Sequence, residues 1–158
     1  MTPRHKAARA VVISAIVIST MAVGSVRASE YEYVDPVNDP TVAKECSACH
    51  FLYPPGLLPA SSWQRLMSGL ADHFGENAEL EPELASRISL YLTKNAARGG
   101  SRSGAEPSIR ISEQPWFLRK HGKRGRISPE ALKRHGAKSP ADCKACHRGA
   151  EKGYFEDD

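Results

Sequence analysis

The chain has 158 residues, with 22 lysines and arginines against 18 aspartates and glutamates, six histidines, four cysteines and a formal charge of +4. That length holds one domain or two small ones. The excess charge belongs to the first 28 residues, which carry Arg4, Lys6, Arg9 and Arg27 and no acid; beyond them 18 basic groups face 18 acidic ones. Bulk basicity therefore gives no reason to expect nucleic-acid binding.

Residues 1–28 read as a secretory signal peptide. A basic start precedes VVISAIVISTMAVG, an apolar stretch of 14 residues, and Val26-Arg27-Ala28 fits a small-residue cleavage site, placing the cut after Ala28. A membrane anchor is the weaker alternative, since a span needs roughly 20 apolar residues. No other segment is apolar enough to cross a bilayer. The expected location is the periplasm. The charge of the mature chain is polarised: residues 29–97 hold 4 basic and 10 acidic groups, and residues 98–158 hold 14 basic and 8 acidic. Such a dipole can orient a charged partner, or it is two ordinary solvated surfaces.

Asp39-Pro40 starts a short helix that ends in CSACH, because Asp suits the N-cap and Pro the first helical position. FLYPPGLLPA (51–60) is too rich in proline and glycine for regular structure; its Leu57 and Leu58 are placed to pack. Ser61 and Gln64 have capping-box spacing and predict a helix to about Phe74. Trp63, Leu66, Met67, Leu70 and Phe74 form its apolar stripe, with His73 beside it. Glu81-Pro82 opens another helix with Leu84, Ile88, Tyr91 and Leu92 inward. ARGGSRSGAEPS (97–108) has linker composition and marks the change from acidic to basic. Ser112 is positioned to cap a helix bearing Trp116 and Phe117 that stops at His121-Gly122. Ser128-Pro129 starts another that stops at His135-Gly136, and Ser139-Pro140 starts a last one carrying CKACH. Nothing alternates as a strand, so the expected fold is mostly α.

The chemistry lies in the repeated pentapeptide, CSACH at 46–50 and CKACH at 143–147. C-x-x-C-H is the attachment signature of c-type haem. Two thiols one helical turn apart can each add to one vinyl group of a single haem, and the adjoining histidine then turns toward the iron. Cys46 and Cys49 should hold haem 1 with His50 on its iron; Cys143 and Cys146 should hold haem 2 with His147. A thioredoxin-like redox pair lacks its βαβ setting. A four-cysteine zinc site or two disulfides leave His50 and His147 unexplained. Two covalent haem c groups divide the chain into the leader 1–28, a haem 1 lobe over 29–97 and a haem 2 lobe over 98–158. Lobes this small bury little on their own, so the haem faces should supply apolar surface.

Each iron has a second axial position. The mature chain offers His73, His121, His135 and Met67. His73 is preferred to Met67 at haem 1, because a methionine in an apolar stripe more often packs than ligates. At haem 2 the local reading prefers His121 to His135. Phe117 shares a helical face with His121, whereas His135 resembles a cation in a helix's last turn. Crossed ligation between the haems stays open. Tyr53 either lies between the haems or simply packs.

IRISEQPWFLRKH, KSPADCKACHRGAEKGYF and CSACHFLYPPGLLPASSWQRLMSGLADHFGENAEL together resemble the dihaem cytochrome c family that partners the oxygen-binding sphaeroides haem protein. The resemblance covers nearly all of the mature chain. Its segments PPGLLP-x-x-SW-x-x-LM and PWF-x-x-x-H are specific well beyond C-x-x-C-H. It implies two histidine ligands per haem, at His50, His73, His121 and His147, and no required histidine at position 135. It also implies an N-terminal lobe like a class I cytochrome c and a small, irregular C-terminal lobe of its own type. The implied role is electron donor to a soluble haem protein.

Two closed irons leave no place for substrate and favour an electron carrier over an enzyme, with low potentials. The expected protein is a monomer whose partner is an oxygen-binding monohaem cytochrome. Two rivals are a dihaem subunit of a periplasmic reductase and a small haem enzyme or gas binder with one open axial site. A basic docking surface would include Arg119, Lys120, Lys123, Arg124 and Arg126. The acidic end Glu156-Asp157-Asp158 suits a partner of the opposite sign.

Overall fold

The structure, a computed structural model, describes residues 33–98, 108–122 and 127–156. The proposed leader, residues 99–107 of the linker, Lys123, Arg124, Arg126, Asp157 and Asp158 lie outside the described residues. Among the described residues six α-helices follow one another: α1 Pro40–Cys46, α2 Ala60–Ser68, α3 Pro82–Lys94, α4 Pro115–His121, α5 Pro129–His135 and α6 Cys143–Cys146. Short 3-10 turns at Pro55–Leu57, Leu70–Asp72, Ile111–Glu113 and Ala150–Lys152 join them. The described residues hold no β-strand, as the lack of alternation predicts. Three isolated bridges occur, Tyr33 with Tyr154, Pro59 with Ala97 and His73 with Glu76.

Several helix starts follow the expected chemistry. Asp39 Oδ1 accepts from the amides of Thr41 and Val42, and Pro40 takes the first helical position. Ser128 Oγ accepts from the Ala131 amide, and α5 closes on Gly136 in the left-handed region. Helix α3 begins at Pro82 and buries Ile88 and Leu92.

Other starts differ. The capping box at Ser61 and Gln64 does not form: α2 begins at Ala60 without a side-chain cap. Ser62 is instead buried, and its hydroxyl donates to the Ser108 carbonyl. Helix α2 also stops at Ser68, because Gly69 takes the C-cap, and the expected continuation to Phe74 becomes a 3-10 turn and a loop. His73 therefore sits on a loop rather than beside a helical stripe. Gln114 rather than Ser112 precedes α4. Ser139-Pro140 forms a turn, and α6 starts three residues later at Cys143.

The core gathers Val42, Leu57, Leu58, Trp63, Ile88 and Leu92 from the first part of the chain with Ile111 and Phe117 from the second. Leu57 and Leu58 are thus core residues, although Leu57 also lines the cavity described below. The proline-rich loop is the hub. Trp63 Nε1 donates to the Pro55 carbonyl at 2.8 Å, and Trp116 Nε1 donates to the Leu57 carbonyl at 3.2 Å. A loop without repeating backbone bonds is held here by side-chain donors from two helices. Each fully buried aliphatic chain contributes about 1.5–3 kcal/mol, so a core shared by both parts binds them strongly.

Candidate haem-binding sites

Helix α1 ends on Cys46, and the chain turns through Cys49 to an exposed His50. His50 Nδ1 lies 2.7 Å from the Phe51 carbonyl. A carbonyl only accepts, so Nδ1 carries the proton and Nε2 is left for a metal. The ring of His73 faces it, with centroids 6.0 Å apart and planes 22° from parallel. Two imidazoles on opposite sides of one metal, at about 2 Å per bond, place their ring centres about 6 Å apart.

His73 is brought there by a tight loop. Its amide donates to the Glu76 carbonyl at 2.7 Å and its carbonyl accepts from Glu76. The Gly75 amide donates to Asp72 Oδ1. The turn places Phe74 at φ 59 and Gly75 at φ 99. A left-handed phenylalanine is strained, and Arg110 stacks its guanidinium 4.3 Å from the Phe74 ring centre. Burial, and then the proximity of His50, push the pKa of His73 down. The neutral imidazole this favours is the form that binds metal.

The second site is a cavity of about 390 Å³. Its apolar walls include Leu57, Ile111, Trp116, Phe117, Leu132 and Phe155, and Cys143, Cys146, His121 and His147 all line it. The rings of His121 and His147 are again 6.0 Å apart, here at 88°. His121 Nδ1 is 3.1 Å from the Phe117 carbonyl, and His147 Nδ1 is 2.9 Å from the Glu156 carbonyl. Both bonds again leave Nε2 for a metal. Phe117 also stacks on His121 at 4.0 Å and 15°. Burial pushes the Cys143 thiol up to about 11, and Cys46 is raised for the same reason. No disulfide joins the four cysteines, and the described residues show no group of three or more His, Cys, Asp or Glu arranged to hold a bare metal ion.

Both sites fit a haem: a thiol pair, an adjoining histidine and a second imidazole across from it. His135 is exposed, ends α5 and lines the cavity. Met67 packs partly buried against the core. Sequence reasoning missed the Glu156 carbonyl and Phe155, which lies 5.6 Å from the His147 ring. The aromatic pair in GYF hinted at packing there, without showing on what. Tyr53 has its ring 5.3 Å from His50, and its hydroxyl donates to the Ala141 carbonyl at 2.9 Å, two residues before Cys143.

A mostly helical chain that carries two such sites is a c-type cytochrome with two haems. The dihaem cytochrome c family profile matches residues 42–155, and the chain belongs to that family. Two covalently bound haem c groups and electron transport come with it. Three solved structures are similar. One is DHC purified from Rhodobacter sphaeroides, with 48% identity and TM-score 0.63, covering 76% of this chain and 99% of that one. A diheme cytochrome c from Rhodobacter sphaeroides has 43% identity and TM-score 0.66, covering 78% and 99%. A diheme c-type cytochrome from Shewanella baltica OS155 has 36% identity and TM-score 0.60, covering 74% and 86%. No match was found among curated proteins. No helix among the described residues is long and apolar enough to cross a membrane.

Proposed function

We propose that the protein is an exported electron carrier with two low-spin, bis-histidine haems. Cys46 and Cys49 hold haem 1, ligated by His50 and His73. Cys143 and Cys146 hold haem 2, ligated by His147 and His121. The observation that carries this reading is the 6.0 Å spacing in both histidine pairs. With both irons closed, neither has a position for substrate or gas, and the chain acts by passing electrons. Residues 1–28 are the leader that sends it to the periplasm, and residues 29–97 and 98–158 each organise one haem. It works as a monomer and gives its electrons to a soluble haem protein. The basic groups near haem 2, Arg119 and Lys120 among them, meet an acidic patch on that partner.

An EPR spectrum of the oxidised holoprotein tests the ligation. The ligand planes lie 22° apart at one site and 88° apart at the other. Two distinct low-spin signals are expected, one rhombic and one strongly anisotropic. A high-spin signal, or carbon monoxide binding readily to the reduced protein, would overturn the closed-site reading.

A further inference from the structure

The cavity at haem 2 is chemically uneven. Cys143 and Cys146 of α6 line it, and among the described residues the neighbouring Asp142 is the only carboxylate on its wall. That carboxylate accepts from the Lys138 amide at 3.2 Å. Among the described residues the non-ligand cationic or imidazole groups on the wall are Lys120, Arg134 and His135. They come from two helices and occupy the last turn of each. Both helices change character along their length. In α4, Trp116 and Phe117 precede Lys120; in α5, Ala131 and Leu132 precede Arg134 and His135.

A haem has the same unevenness. Its vinyl groups lie on one edge, and its two propionate carboxylates lie on the opposite one. The thioether cysteines hold the vinyl edge against α6. The propionates must then reach a different part of the wall, where nearby cations stabilise their charge. We infer that Lys120, Arg134 and His135 form the propionate cradle of haem 2. Arg134 offers a planar fork suited to a carboxylate, Lys120 a point charge, and His135 a ring N–H. Arg134 also faces Glu130 one turn earlier, so its charge is shared between that side chain and the haem. His135 acquires a role by this route that does not involve iron.

The inference rests on haem 2 occupying this cavity as proposed above, and its consequence is electrostatic. Reduction adds an electron to the haem, and a nearby cation stabilises the reduced form. The test is spectroelectrochemical titration and resonance Raman of the dihaem holoprotein and its Lys120→Gln/Arg134→Gln variant. One of the two haem waves should shift about tenfold toward the oxidised form, or roughly 60 mV for one electron, while the other stays in place. The propionate bending band of one haem should move, in this variant and in His135→Ala. Arg134→Lys should restore most of the potential. Low-spin spectra should persist throughout, which separates this outcome from an error in the ligation. Unchanged waves together with an unmoved propionate band would overturn the cradle. If the double variant loses haem, Arg134→Gln alone carries the same two readouts.

Discussion

The hydroxyl of Tyr53 donates to the Ala141 carbonyl across 88 residues of sequence, at 2.9 Å. One bond thus ties the segment just after CSACH to the segment just before CKACH. Removing it by Tyr53→Phe should cost about 1 kcal/mol, or a few degrees in Tm for a chain of this size, read from thermal unfolding. Burial, with a smaller effect of Cys143 and Asp142, pushes the phenol up to about 12. A raised phenol contributes stability that is complete below the ordinary value of 10 and is lost as pH climbs toward 12. The wild type should therefore lose stability across that window faster than Tyr53→Phe does.

His121 and His135 begin alike, each a helix-end histidine followed by glycine. Only His121 faces another imidazole at 6.0 Å. His121→Ala should convert one of the two haems to high spin, visible in absorption and EPR. His135→Ala should leave both haems low-spin. The reverse pattern would overturn the ligand assignment.

The loop carrying His73 depends on a left-handed glycine. Gly75 has φ 99 with open space around its Cα, so Gly75→Ala meets backbone strain alone. It should cost roughly 1 kcal/mol. The loosened loop should give a temperature-dependent high-spin fraction at one haem.

Gly153 is more constrained. Its φ is 84, and an added Cβ would lie 2.2 Å from the Val34 carbonyl, which is backbone and cannot yield easily. That carbonyl belongs to the residue whose amide donates to Gly153. Gly153→Ala should cost roughly 1–3 kcal/mol and displace the strand of chain that presents the Glu156 carbonyl to His147. A loss of low-spin character at one haem, together with a lower Tm, is the expected result.

Asp39 offers a pH handle on the first site. The Val42 amide, with help from the Thr41 amide and the Arg87 guanidinium, holds its carboxyl below the ordinary value of 3.8 against the opposing effect of desolvation. A depressed carboxyl contributes stability above its unfolded value and loses it as pH falls through the folded one. Asp39→Ala should therefore be less stable than wild type at neutral pH, with the gap closing below about pH 4.

The helices with a strong local signal were legible from the residues alone. Asp39-Pro40, Glu81-Pro82 and Ser128-Pro129 each start a helix where expected, because a fixed φ and, at Asp39 and Ser128, a side-chain acceptor act within a few residues. Both C-x-x-C-H motifs were legible for the same reason: their chemistry is local. What failed depended on distant partners. The box expected at Ser61 and Gln64 goes unused in an α2 that starts at Ala60, and the neighbouring Ser62 bonds to Ser108 far along the chain. The Glu156 carbonyl beside His147 also has no local signature, since any residue supplies a carbonyl.

Val42, Leu57, Leu58 and Trp63 share one apolar core with Ile111 and Phe117, and this bears on how the molecule is made. Each half contributes part of a common interior, so neither half can close it while the other is unfolded. A chain with one half unfolded would expose that apolar surface to proteases. Biogenesis then acquires a proofreading step from the packing alone: both halves must be folded before the chain resists digestion.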